Sequence, residues 1–281
     1  MQNSIQNDTL KITVDSKGAE LVSVKHNGVE RIWQNQTGGW SGHAPILFPV
    51  CGHFGFIYKG KDYAMPAHGF ARKSEFTLIE KGEDFLTFSL KSNEKTKEVY
   101  PFDFELVVSY KIVNSTIYIT NKIKNLSQET MLYTLGAHES YMLDMPLETY
   151  KLVFPKEEHL VHYDHDDDGY LTGTTLDYGT SKEFEFTENH LLHDETIIFK
   201  GLKSNSVKFC KKTGEEVFDV SFEGFSNLLF WRPEGSQMVC IEPWHNLPDA
   251  HGNTQEFAEK DGVQSILVNG ESVFKRTIEY K

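Results

Sequence analysis

Three short stretches of the chain gather side chains able to move protons or hold oxygen atoms. Glu242 closes the apolar run Val239-Cys240-Ile241 and is followed by Pro243-Trp244-His245. Its alternation phase is that of Met238 and Cys240, which places a carboxylate in line with apolar residues at a strand end. Desolvation there raises a carboxylate's pKa toward that of a useful general base; the other reading is a Glu that caps a strand or pairs with an arginine. His138 follows Leu135-Gly136-Ala137, small residues that leave room for a reactant beside the imidazole. Histidine is the commonest proton donor near neutral pH, although with 12 in the chain a structural or exposed role stands beside that reading. His68 and Arg72 lie in Pro66-Ala67-His68-Gly69-Phe70-Ala71-Arg72, a glycine-containing loop of the kind that presents donors to oxygen atoms.

A fourth stretch has the composition of a metal site. His159, His162 and His165 stand beside Asp164, Asp166, Asp167, Asp168 and Gly169. The run from Asp164 to Gly169 starts like a calcium loop, but position 175, where the closing bidentate Glu belongs, is Thr175. The histidines could ligate a transition metal only if the backbone brought them together. A solvated acidic turn without a metal is the expectation. There is no GxGxxG, GxxxxGK[ST] or HExxH, and Gly39-Trp40-Ser41-Gly42-His43 misses GxSxG at its last position. No cofactor is expected.

The elements that must position these groups read as strands. Leu10, Ile12 and Val14 alternate with polar neighbours, as do Leu86, Phe88 and Leu90, then Phe104, Leu106, Val108, Tyr110 and Ile112, and later Phe218, Val220 and Phe222. Turn signals separate them: Lys17-Gly18, His26-Asn27-Gly28, Val113-Asn114-Ser115, Thr213-Gly214 and Asn269-Gly270. Sustained helical spacing is nearly absent. The pattern predicts an all-β protein, a large antiparallel β-sandwich, built as a single domain over residues 1–281 with no linker to divide it.

Composition narrows the partners. Asp and Glu number 41 against 28 Lys and Arg, a net charge of −13, which argues against general nucleic-acid binding. Cys51, Cys210 and Cys240 are widely separated, odd in number and without CxxC, which fits a reducing compartment. Residues 1–8 show neither the basic nor the apolar region of a signal peptide, and no apolar run is long enough to cross a bilayer. A cytoplasmic globular protein, monomer or homodimer, without a membrane partner is expected.

Taken in order, Ala44-Pro45-Ile46-Leu47-Phe48-Pro49, His68-Gly69-Phe70-Ala71-Arg72, Val99-Tyr100-Pro101-Phe102-Asp103-Phe104, Gly136-Ala137-His138 and Cys240-Ile241-Glu242-Pro243-Trp244 resemble the aldose 1-epimerase (mutarotase) family, its LacX-like branch above all. The similarity runs from about residue 10 to the C-terminus. The resemblance implies a galactose mutarotase-like supersandwich acting on an aldohexose, with Glu242 as general base and His138 as general acid. It also implies His68 and Arg72 as sugar contacts, and Asp194 as the sugar-binding aspartate between acid and base. Trp33, Trp40 or Trp244 could stack on a sugar face. Two positions depart from the family: His53, where an arginine is common, and Glu139, where a proline or small residue often follows the acid histidine. The missing arginine weakens the reading as a hexose-6-phosphate 1-epimerase. A non-catalytic carbohydrate-binding or sensing protein is the rival of another class, and a metal-dependent protein built on His159 to Asp168 a third.

Overall fold

The computed structural model describes residues 1–281 apart from Thr37, Asp194 and Thr254. The chain opens with an antiparallel meander, Gln2–Gln6, Leu10–Asp15, Glu20–His26 and Val29–Glu30. Leu10, Ile12 and Val14 turn inward and are buried, as their alternation predicts. Asn27 and Gly28 make the last turn with φ of 50° and 82°. Positive φ at both central residues is the type I′ hairpin geometry that Asn-Gly favours.

Among the described residues, fifteen further strands form one continuous antiparallel sheet that wraps around the core. One layer runs from Ile46–Leu47 through Gly136–Ala137, Met238–Trp244 and Asn227–Trp231 to Thr196–Phe199. The facing layer runs from Ser206–Lys211 through Glu216–Phe222, Glu271–Tyr280, Thr116–Asn125 and Phe104–Val113 to the edge strands Phe85–Lys91 and Thr77–Lys81. The long strand Tyr150–His165 belongs to both: Tyr150–Val153 pair with Ser206–Lys211, while His162 pairs with Phe199. Pro155 lies between, and its missing N–H removes a ladder bond where the strand changes partners. The register against the hairpin partner Leu171–Glu185 slips at the same place, between Val153 and Glu158.

The layers meet through side chains. Tyr141 stacks on Phe218 at 4.2 Å although their strands are not sheet neighbours. Ile241, Phe230, Phe209, Ile119 and Leu106 join in one apolar cluster that extends from Ile5 to Tyr280. The large antiparallel β-sandwich expected from the sequence is therefore the fold. Its single α-helix among the described residues is Glu94–Val99, capped by Asn93, whose side chain accepts from the Thr96 N–H at 3.1 Å. No helix among the described residues is long and apolar enough to cross a membrane.

Glu139, the unexpected residue after His138, is a core residue. On the strand Glu139–Met142 it points between the layers, where Arg276 Nη1 donates to its Oε1 at 2.6 Å. Both side chains are at most 3% exposed. Leaving one charge of such a pair unmatched in the interior costs about 3–5 kcal/mol, whereas replacing both by apolar groups is close to neutral. Arg276→Met is therefore expected to lower unfolding free energy by about 3 kcal/mol or more, and the double variant Glu139→Met/Arg276→Met to recover most of it. Urea unfolding of the two variants checks this, and equal stability would contradict it.

Candidate active site

Strand register brings the two principal candidates together. Glu139 pairs with Ile241 and Ser140 with Cys240, so His138, one residue earlier, comes opposite Glu242 on the antiparallel neighbour. Their side chains meet on one face, with His138 Nε2 3.3 Å from Glu242 Oε2. Met238–Trp244 is buried at all seven positions. Val239 and Ile241 face the main core, while Met238 and Cys240 face a separate cluster with Trp33, Trp40 and Trp231. The phase assigned to Glu242 is thus the observed one. Its position differs from the expectation: it lies inside the strand rather than at the end, and it is fully rather than partly desolvated, because Leu229 pairs with it on the other side.

Burial governs the charge state of this pair. Removal from water raises the Glu242 pKa well above the usual carboxylate value, and the Glu139 carboxylate behind it adds to the rise. Removal from water also drives the His138 imidazole down to about 3, with the Arg72 charge acting in the same direction. Both shifts favour the uncharged forms. With one proton between them, the pair is thereby biased toward a protonated carboxyl facing a neutral imidazole. The close approach of the two groups keeps the alternative, carboxylate facing imidazolium, within reach of a proton transfer. Such a pair can take a proton at one atom and give one at another without a net change of charge.

The loop carrying His68 is fixed by backbone geometry. His68 itself has φ of 67°, and Gly69 follows with φ of 69°. A Cβ on Gly69 would lie 2.3 Å from the Phe48 carbonyl oxygen, the acceptor for the Phe70 and Ala71 N–H groups at 3.1 Å each. Only glycine permits that approach. The His68 N–H donates to Gly52 O at 2.9 Å and the Gly52 N–H returns to His68 Nδ1 at 3.1 Å. Nδ1 is therefore an acceptor, and the ring proton sits on Nε2. The ring stands edge-on to His138 at 5.6 Å and to Trp244 at 5.3 Å.

A cavity of about 150 Å³ opens beside His68 and Trp244, lined also by His53, Ile198, His165 and Gly169 among others, while His138 and Glu242 lie behind that lining rather than in it. Of the remaining candidates, Arg72 lies in the same loop but does not line the cavity, and its Nη2 donates to the Ala67 carbonyl at 3.2 Å. Asp194 lies outside the described residues. The three tryptophans separate: Trp244 lines the cavity, Trp40 stacks on His138 at 4.9 Å, and Trp33 is a core residue. Trp231, which the sequence did not single out, stands edge-on to His138 at 5.8 Å.

The acidic turn is solvated at its carboxylates and also contributes to the cavity. Asp167 and Asp168 are exposed, yet His165 and Gly169 form a cavity wall, and Tyr170 stacks on His53 at 4.5 Å. Its three histidines take separate partners. His159 faces Asp177, His162 Nδ1 accepts from the Ile198 N–H, and His165 Nε2 accepts from the Thr196 N–H. The wall exists because the hairpin Tyr150–His165 and Leu171–Glu185 folds back over the site, where Leu171 N–H donates to Asp249 O at 2.9 Å. The group of potential metal ligands that the structure does assemble is His138, Cys240 and Glu242, within 4.8 Å of one another. Burial and the nearby Glu242 and Glu139 carboxylates push the Cys240 thiol well up, so it presents a bound proton rather than a thiolate.

The chain is similar to the chromosomal LacX protein of Lactococcus lactis, 31% identical over 287 aligned positions covering 95% of each chain. It superposes on a galactose mutarotase related enzyme from Lactobacillus acidophilus with a TM-score of 0.90 and 27% identity, covering 100% of this chain and 97% of that one. A galactose mutarotase-like protein from Lactobacillus casei has the same fold, with a TM-score of 0.91 at 22% identity and full coverage of both chains. The family described as aldose 1-epimerase matches residues 1–260, and the chain belongs to that family.

Proposed function

We propose that this protein, acting as one domain, is an aldose 1-epimerase that interconverts the α and β anomers of an aldohexose, with Glu242 as general base and His138 as general acid. The observation that carries the reading is the buried pair itself, Nε2 and Oε2 3.3 Å apart beside a cavity. Ring opening needs one proton removed from the anomeric hydroxyl and one delivered to the ring oxygen. Starting with the shared proton on His138, the Glu242 carboxylate accepts the hydroxyl proton as the imidazolium protonates the ring oxygen. The C1–O5 bond breaks and its electron pair stays on the oxygen. The aldehyde remains, beside a protonated Glu242 and a neutral His138. Rotation about C1–C2 and the reverse transfers close the ring on the other face.

Burial contributes directly to this cycle. The uncharged pair that desolvation favours is the state that accompanies the open-chain aldehyde, so the site stabilises the side of the barrier that water does not. His68 Nε2–H is free of the Gly52 contact and available to a sugar oxygen, and Trp244 offers an aromatic wall. Arg72 supports the loop through Ala67, and Asp194 keeps its assignment as a sugar contact from the family resemblance. No metal or cofactor is required by the proton balance. We place the reaction in the cytoplasm, carried out by a monomer or homodimer without nucleic-acid or membrane partners.

Glu242→Gln is expected to lower kcat for mutarotation of freshly dissolved α-glucose or α-galactose by about 10³-fold or more, and His138→Asn by about 10²–10⁴-fold. Sugar affinity should change much less in both. Polarimetry with parallel binding titrations reads both quantities, and wild-type rates in Glu242→Gln would sink the assignment.

The pH profile is the second check. The one-proton pair persists from the depressed His138 value of about 3 up to the raised Glu242 value. Turnover should therefore show no acid limb at the ordinary histidine value of about 6.5, and its alkaline limb, where the shared proton is lost, should lie above the ordinary carboxylate range. An acid limb near 6.5, where an unperturbed histidine titrates, would contradict the burial argument.

A further inference from the structure

We propose that His138, Cys240 and Glu242 together form a binding site for a thiophilic divalent cation of the zinc kind and, resting on the epimerase reading, that an ion bound there halts proton transfer.

Sheet register supplies the ligands. Cys240 and Glu242 stand two residues apart on Met238–Trp244, so both side chains project from one face of the strand. His138 reaches that face from the antiparallel neighbour, and one ligand atom from each of the three residues lies within 4.8 Å of the other two. Around a tetrahedral Zn²⁺, with bonds of about 2.0–2.3 Å, neighbouring ligand atoms stand about 3.3–3.6 Å apart. The 3.3 Å between His138 Nε2 and Glu242 Oε2 is already such an edge. Closing the set then takes a shift on the order of 1 Å at the Cys240 thiol.

Charge and softness select the ion. A thiolate and a carboxylate together cancel the charge of a divalent cation, so the occupied site is neutral, as residues at most 8% exposed require. Thiolate and imidazole favour Zn²⁺ or Co²⁺ over Mg²⁺ and Ca²⁺, which take oxygen donors. On binding, the thiol proton and the proton shared by His138 and Glu242 pass to solvent, and metal bonds to sulfur, oxygen and Nε2 take their place. His138 is the group an incoming ion meets first, its side chain 10% exposed under the half-buried Trp40. Cys240 and Glu242 lie deeper. Three protein ligands leave the fourth position of the ion to water. With Nε2 and the carboxylate both engaged by the metal, neither can take or give a proton, and a sugar in the cavity stays closed.

Co²⁺ is the spectroscopic probe, added to the whole chain with its thiols reduced. It should give a thiolate-to-cobalt charge-transfer band in the near ultraviolet and the visible bands of four-coordinate cobalt, saturating at a single equivalent and displaced by Zn²⁺. Cys240→Ala should weaken binding by about 100-fold or more, since loss of even a group behind a ligand costs about 10–100-fold. Glu242→Gln reads the same loss should Cys240→Ala fail to fold. Cys51→Ala and Cys210→Ala, which remove the other two thiols, should leave the band in place. In wild type, Zn²⁺ at saturation should slow mutarotation of α-glucose by about 100-fold or more, reversibly on chelation, while Mg²⁺ and Ca²⁺ do not. Cys240 takes no part in proton transfer, so Cys240→Ala should turn over like wild type and resist Zn²⁺. If wild type accelerates no sugar, the acid–base reading falls, whereas the cobalt spectrum and its loss in Cys240→Ala still decide the site. A cobalt complex without a thiolate band, a band that survives Cys240→Ala, or Zn²⁺ inhibition equally strong in that variant overturns the proposal.

Discussion

The pairing of Glu139–Met142 with Met238–Trp244 is the contact on which the functional arrangement depends. One register sets two opposite faces at once. On the outer face it puts His138 against Glu242; on the inner face it sends Glu139 to Arg276 across the core. A slip by one residue would exchange these faces, turning His138 into the core and leaving the Glu139 carboxylate without its arginine. The buried ion pair therefore makes the wrong register costly, and that penalty protects the geometry of the site. Tyr141 stacking on Phe218 anchors the same strand to the facing layer.

Desolvation is the second theme, and it acts in the same sense throughout. Glu242 is driven toward its protonated form and His138 and His68 toward their neutral forms, each with burial as the leading cause. A backbone amide completes what burial begins at His68, by occupying its Nδ1. The result is that Glu242, His138 and His68 are all biased toward their uncharged forms. That suits an uncharged substrate whose reaction moves protons without creating a net charge. At position 53, where the resemblance led us to expect an arginine, a histidine stacks on Tyr170 and builds the wall.

The wall itself shows how far the site is assembled from distant chain segments. His53, Tyr170 and His251 stack in succession, with ring centroids 4.5 Å and 4.2 Å apart. Asp249 ties the group down, accepting the Gly55 N–H at its carboxylate and the Leu171 N–H at its carbonyl, while Lys260 is buried against it at 2.6 Å. Three loops that share no local pattern thus become one surface, held by ring stacking and the Asp249 carboxylate together with a backbone hydrogen bond from Leu171.

What the sequence by itself determined was the class of structure and the candidate groups for proton transfer. Period-two alternation in Leu10–Val14 and Phe104–Ile112, broken at Asn27-Gly28 and Asn114, dictates antiparallel strands, because only alternate side chains share a face. The phase of Glu242 with Met238 and Cys240 identified its face before any partner was known. What only the tertiary structure decided was distance. His138 and Glu242 are more than a hundred residues apart in sequence and become neighbours through sheet register, and His165 enters the site only because its hairpin folds back onto Asp249. Glu139 shows the same limit: its charge is acceptable only because Arg276 arrives from the last strand of the opposite layer. Local pattern encodes which way a side chain points, whereas long-range packing encodes what it points at.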